Sequence, residues 1–226
     1  MKILVIAPHP DDEVLGCGGT IKKYANQGDN VYLCVVTKAY TPDWSRAFIS
    51  GRKKEVQKAN EILGIKKTFF LDLPTAKLDT VGQKKLNDMM SEVFFKVNPD
   101  VVYIPFGTDL NKDHRLVFEA GLVVTRPKHA HNTKRVLCYE VLSETEWGSF
   151  LARKKEDVFV PNVYVDIFST MQDKIKAMSC YQSEVKKFPH PRSLESIKVM
   201  AKKRGAEAGL KAAEAFMLIR EIRPIA

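Results

Sequence analysis

Short apolar runs alternate with amphipathic stretches through the first two thirds of this chain, and turn residues separate most of them. Residues 2–7, 31–36, 68–71, 101–105 and 136–141 are short and dominated by Val, Ile, Leu, Phe, Tyr and Cys, so they read as strands buried on both faces. Residues 13–27, 51–63, 81–97 and 114–125 carry apolar positions at helical spacing. Gly28 stops the first helix and Gly64 caps the second. Pro99 and Pro127 lie just past the third and fourth, where a ring without an N–H ends a helix. Strands joined in turn by helices build a mostly parallel sheet with helices on both faces. The last third is less regular. Residues 159–165 suggest one more strand, 167–181 and 194–205 suggest helices, and 213–218 fits a short helix or a strand. With 226 residues and no repeat or linker, the expectation is one domain spanning 1–226.

The junction between the first strand and the first helix reads Ala7-Pro8-His9-Pro10-Asp11-Asp12-Glu13. An imidazole and three carboxylates are crowded at the carboxyl end of a strand, which is where open α/β sheets build their sites. Like charges packed this closely need a cation between them, and imidazole with carboxylate is a ligand set for one. A second cluster, Asp109-Leu110-Asn111-Lys112-Asp113-His114, follows the strand ending at Pro105. A parallel sheet brings it to the same rim. His9, Asp12 and His114 then make two imidazoles and one carboxylate, the set that holds catalytic zinc with a position open to water. The expectation is one Zn2+ per chain, with iron or cobalt able to fill the same ligands. His9 and Asp12 converge only if the chain turns between them, and Pro10 helps to fix that turn. Asp11 is left free beside the metal-bound water, placed to act as general base and then to protonate the leaving group.

The remaining composition narrows the function. The net charge is +9, but the lysines come as scattered pairs such as Lys22-Lys23 and Lys202-Lys203, with no basic tail and no interleaved aromatics. That argues for solvated helix faces and against nucleic acid. No apolar run approaches the roughly 18–20 residues of a membrane span, so no membrane insertion is expected. No signal-peptide pattern precedes the first strand, which makes the cytoplasm the expected location. Cys17, Cys34, Cys138 and Cys180 are widely spaced and read as reduced structural residues. A competing reading comes from Gly16-Cys17-Gly18-Gly19 near a strand–helix junction, which invites a non-catalytic nucleotide- or phosphate-binding module.

The motifs Pro8-His9-Pro10-Asp11-Asp12-Glu13 and Asp113-His114-Arg115 resemble the two signatures of the LmbE-like, or PIG-L, family of zinc-dependent N-deacetylases. Glu144-Thr145-Glu146-Trp147, Pro161-Asn162, Pro189-His190-Pro191-Arg192-Ser193 and Ala213-Glu214-Ala215-Phe216 also resemble family blocks, so the likeness runs along the chain. It implies a Rossmann-like three-layer α/β/α sandwich and removal of an N-acetyl group from an amino-sugar conjugate of the N-acetylglucosamine type. An amidase acting on a thiol–sugar conjugate would use the same chemistry. By resemblance His9, Asp12 and His114 are the zinc ligands, Asp11 is the base, and Asp113 joins the catalytic group as a carboxylate behind the ligands. Many members carry a His where this chain has Asn111, and that His helps to stabilise the oxyanion. An amide can donate a hydrogen bond but cannot carry the charge of an imidazolium. Either Asn111 suffices or another group takes over, and His190, held between two prolines, is the candidate. Arg52 and Arg192 are expected to contact substrate, and Trp44 and Trp147 to stack on a sugar ring or to serve in packing. The resemblance also leaves room for a homo-oligomer, with the irregular C-terminal third supplying contacts.

Overall fold

The computed structural model describes residues 1–127, 132–152, 154 and 157–223. Its first strand, β1 (Lys2–Ala7), leads through helix α1 (Asp12–Asn26) to β2 (Asn30–Lys38), then through α2 (Arg46–Leu63) to β3 (Lys67–Pro74). Helix α3 (Gln83–Val97) carries the chain back to β4 (Val101–Pro105), and α4 (Lys112–Val124) carries it on to β5 (Arg135–Tyr139). The short helix α5 (Thr145–Gly148), β6 (Val163–Asp166), α6 (Met171–Cys180), α7 (Leu194–Glu207) and β7 (Ala213–Glu221) follow. All seven strands form one sheet in the order β3-β2-β1-β4-β5-β7-β6. The pairs from β3 to β5 are parallel, and β7 runs antiparallel between β5 and β6. This is the expected mostly parallel three-layer sandwich.

Strand β1 shows how the layers are held. Ile3, Val5 and Ala7 pack with α1, α2, α6 and α7 on one face, while Leu4 and Ile6 pack with α3 and α4 on the other. All five are at most 1% exposed. Burial of each large side chain contributes about 1.5–3 kcal/mol, so a strand alternating between two cores is tied to both helical layers. Polar residues cannot be accommodated on either face, and this is why the run reads as uninterrupted apolar sequence.

Several boundaries differ from the sequence reading. Helix α2 starts at Arg46 rather than residue 51, because the Ser45 hydroxyl accepts from the Phe48 amide (3.1 Å) and caps an extra turn. The Gly64 cap forms with φ 79°. Helix α3 starts at Gln83, after a 3-10 turn over Leu78–Thr80. Helix α6 starts at Met171, because Asp166 accepts from the Phe168 amide and turns the chain first. The extra strand is confined to Val163–Asp166, and the ambiguous segment from Ala213 is strand β7.

The glycines of α1 are packing positions, which removes the phosphate-loop reading. A Cβ on Gly16 would lie 2.2 Å from Tyr139 Cδ2, and one on Gly19 would lie 2.7 Å from Ile167 Cβ. Gly16→Ala is therefore expected to lower stability by about 1–3 kcal/mol through overpacking, read as a lower urea midpoint with an unchanged m value. Further along α1 the amides of Gly19 and Thr20 donate to Glu214 of β7, at 2.9 and 2.8 Å. Lys174 of α6 donates to the same carboxylate (2.6 Å) and to the Leu15 carbonyl (2.8 Å). Lys174 and Glu214 are each 4% exposed, so this buried ion pair fastens α1 to the C-terminal elements.

Candidate metal centre and active site

The sheet order reverses its direction of growth at β1, with β2 on one side and β4 on the other, which opens a crevice at the carboxyl ends of β1 and β4. His9 and Asp12 enter from the β1–α1 junction, and His114 enters from the first turn of α4. Their convergence depends on one backbone reversal at Asp11, which has φ 112° and ψ −25°. That conformation costs a non-glycine residue on the order of 1–3 kcal/mol. It is secured by Glu13, whose Oε2 accepts from the Asp11 amide (3.0 Å) and whose Oε1 accepts from the Tyr181 hydroxyl. Burial pushes the Glu13 carboxyl up to about 7. Thus the turn is made at Asp11 itself and clamped from α1, a device that the proline at position 10 does not reveal.

With the turn in place, the His9 amide donates to Asp12 Oδ2 (2.8 Å). Three donor atoms then face one another: His9 Nδ1 to His114 Nε2 is 3.2 Å, His9 Nδ1 to Asp12 Oδ2 is 3.3 Å, and His114 Nε2 to Asp12 Oδ2 is 3.2 Å. A tetrahedral ion with bonds of about 2.0 Å holds its ligands about 3.3 Å apart. Asp12 is fully buried, and its Oδ1 has no hydrogen-bond partner among the described residues. A buried carboxylate oxygen without a donor is costly unless a cation satisfies it. The donor set, its spacing and the orphaned oxygen all fit a divalent metal ion bound by His9, Asp12 and His114.

Each imidazole is oriented by a carboxylate behind it. His9 Nε2 lies 3.0 Å from Asp113 Oδ2, and His114 Nδ1 lies 2.8 Å from Asp109 Oδ2. Asp113 is itself fixed by the amides of Ala76 (2.7 Å) and Leu78 (3.2 Å), and Asp109 by the Thr145 hydroxyl (2.6 Å). Burial works against charge on His9, yet Asp113 and Asp12 outweigh it and push the ring up to about 9. His114 is likewise raised, with Asp12 and Asp109 overcoming its burial. The surroundings thus favour positive charge at the point where the three donors meet. Such partners fix the tautomer and sharpen the ligand, and their loss typically costs 10–100-fold in metal affinity. Asp109→Asn is expected to weaken metal binding by that factor, read by competition with a chromogenic chelator. Unchanged affinity would show that His114 is oriented without it.

Asp11 is 1% exposed and sits beside this centre. Burial, and then the charge of Asp12, raise its carboxyl well above the usual range, while Arg192 and Arg52 oppose the shift. Arg192 Nη1 lies 3.3 Å from Asp11 Oδ2, and its other contacts are Glu184 (3.1 Å), Glu144 (3.0 Å) and the Ser143 hydroxyl (2.7 Å). Arg52 donates to the Pro10 carbonyl, to Glu55 (3.1 Å) and to Ser183 (3.2 Å). Both arginines line one cavity of about 670 Å3 together with His9, Asp11 and Asn111.

Two of the expected site residues, His190 and Asp113, lie outside the lining of this cavity. His190 Nδ1 accepts from the Arg192 amide (3.0 Å) and its ring packs edge-on against Trp147, with centroids 5.7 Å apart. The prolines around it make a rigid turn, but the side chain delivered to the centre is Arg192. Asp113 touches His9 and does not line the cavity, in keeping with a carboxylate behind the ligands. Asn111 does line the cavity, but its Oδ1 caps α4 by accepting from the Asp113 amide (3.0 Å), and its NH2 end has no partner among the described residues. Trp44 lines the cavity, whereas Trp147 does not. Sequence reasoning gave no role to Asp109 and Glu13, and it did not single out Tyr181 and Glu184. The first two were visible as acids beside the motifs, but the last two carry no local signal.

Comparison with known proteins bears on this geometry. The family profile described as PIG-L, GlcNAc-PI de-N-acetylase, matches residues 4–125. The diacetylchitobiose deacetylase of Thermococcus kodakarensis is 29% identical over 194 residues, covering 81% of this chain and 70% of that protein. The uncharacterized deacetylase YaiS of Escherichia coli is 32% identical over 164 residues, covering 69% of this chain and 81% of that protein. Among solved structures, the conserved protein TT1542 from Thermus thermophilus superposes with a TM-score of 0.77 at 24% identity, covering 99% of this chain and 96% of that one.

Proposed function

Because the chain belongs to the PIG-L family of de-N-acetylases, we propose that it is a metal-dependent hydrolase that cleaves the N-acetyl group from an N-acetylglucosamine-type conjugate, with Asp11 as general base. The observation that carries this reading is the pairing of a three-donor metal cradle with a separate, buried, unligated carboxylate next to it. A structural metal site needs no such neighbour.

His9, Asp12 and His114 would hold the ion, zinc in this reading, and when bound it supplies Lewis acidity toward the amide carbonyl and lowers the pKa of water from about 15.7 to about 7. Asp11 accepts the proton of the attacking water as the C–O bond forms. Burial and the neighbouring Asp12 charge raise its affinity for protons, the direction that favours a base over a spectator carboxylate. The same proton passes from Asp11 to the amide nitrogen as the C–N bond breaks. Water is consumed, and acetate and the free amine leave. Arg192 stands beside Asp11 as a fixed cation, and we assign it, with the Asn111 NH2 group, to the oxyanion in place of the imidazole that other members carry. Asp113 and Asp109 keep the two imidazoles in the tautomer that points a lone pair at the ion.

The test is to measure metal content together with acetate release from a panel of N-acetylglucosamine conjugates. The expected result is about one divalent ion per chain, acetate from at least one conjugate, and loss of release on chelation with recovery on adding zinc. Metal-loaded protein that yields a larger acid or amine instead of acetate would move the reading to an amidase. Metal-loaded protein that cleaves no amide in the panel would overturn it.

A further inference from the structure

The cavity that opens from the metal centre is far larger than the acetamide chemistry requires, and its distant wall has a chemistry of its own. About 670 Å3 lies in the range that encloses a drug-sized ligand, roughly 300–1,000 Å3. His9, Asp11, Asn111 and Arg192 line the metal end. The other end is built from the loop after β2, one face of α2 and the outer part of β3. Phe48, Ile49, Arg52 and Val56 follow helical spacing, so they project along one face of α2. Trp44 precedes that helix, held edge-on by Tyr40 with ring centroids 5.4 Å apart. Phe70 closes the wall from β3, the edge strand of the sheet, and remains 39% exposed.

Ser50, Gln57, Asp72 and Thr75 also line this end, but its largest side chains are apolar. One indole can stack on a pyranose, but Phe48, Ile49 and Phe70 together make a surface for an apolar body. Beyond it the rim is cationic. Lys38 is engaged by Asp72 at 3.7 Å, whereas no carboxylate among the described residues pairs with Lys53 or Lys54. Lys53 instead hangs over the Phe70 ring at 6.0 Å, so an ammonium group borders the apolar chamber.

Building on the deacetylase reading above, we infer that this chamber is the aglycone site and that the substrate's aglycone is an aromatic or similarly flat apolar group ending in an anion, with Phe48 and Phe70 clasping the ring and Lys53 and Lys54 meeting the charge. The amino sugar lies between Arg52 and the metal centre, and the aglycone lies against α2. The specificity of the enzyme then resides in α2 and β3, while the chemistry resides at β1 and β4.

Four N-acetylglucosaminides test this, each as both anomers where it has two: methyl, phenyl, 4-carboxyphenyl, and the N,N'-diacetyl disaccharide. The expected order of kcat/KM for acetate release places 4-carboxyphenyl first and methyl last, with about tenfold or more between phenyl and methyl. Phe48→Ala and Phe70→Ala should each shrink the phenyl-to-methyl ratio. Lys53→Gln combined with Lys54→Gln should shrink the carboxyphenyl-to-phenyl ratio by about threefold, in a salt-sensitive manner. Methyl and disaccharide substrates cleaved as well as the aryl ones would overturn the inference. Calorimetry with the corresponding free amines separates it from the deacetylase reading. Preferential binding of the carboxyphenyl amine, lost in Phe70→Ala, with no acetate from any compound, would support the chamber and overturn deacetylation. Equal binding of all the amines would overturn the chamber whatever the turnover.

Discussion

Asp11→Asn is expected to keep one metal ion per chain and to lower kcat by about 10²–10⁴. The side chain is isosteric, so the backbone reversal at φ 112° and the Glu13 clamp are retained. Asparagine tolerates positive φ as aspartate does. Its amide cannot accept the proton of the attacking water, and it faces Arg192 with a dipole where a charge had been. The prediction splits into two measurements, metal content by mass spectrometry and single-turnover acetate release. Wild-type turnover with metal in place would remove Asp11 from the base role. Loss of metal would mean instead that Asp11 supports the cradle.

Lys174→Met is expected to destabilise the fold by about 3–5 kcal/mol, because it strips the partner from a buried carboxylate. Glu214 would retain the two α1 amides but lose the ammonium 2.6 Å away, in surroundings that exclude water. A domain of ordinary stability has about 5–15 kcal/mol in all, so the loss takes a large share and should be evident in urea midpoints. Adding Glu214→Gln should recover much of it, since the penalty is for the unpaired charge and not for the absent bridge. Equal destabilisation in the single and double variants would refute that account. Metal affinity is a useful second readout, because Asp12 sits in the first turn of the helix that this pair anchors.

The parallel part of the sheet was legible because its inner strands are buried on both faces, which leaves uninterrupted apolar runs such as residues 3–6, and because Gly28, Gly64 and Pro99 mark clear helix stops. Strand β7 was ambiguous for a definite reason. Ala213, Glu214, Ala215 and Phe216 are all buried, so a charged residue falls in the core and breaks the alternation that marks a strand. The metal cradle could be read from residue types plus the expectation that two strand ends share a rim. What stands around it could not. Arg192 meets Asp11 across 181 positions of sequence, and Tyr181 meets Glu13 across 168. No local pattern encodes such pairings. The proline-flanked turn was legible, but not which way it faces its side chains: the His190 imidazole packs against Trp147 and the Arg192 guanidinium lies beside Asp11.

The Glu214 bridge also bears on how the protein is made. The three metal donors all lie within the first 114 residues, so a ribosome has produced them well before strand β7 emerges. The helix that carries Asp12 meanwhile waits for a carboxylate 195 positions downstream of Gly19. A chain cut short before Ala213 would therefore own every ligand and lack the brace that steadies one of them.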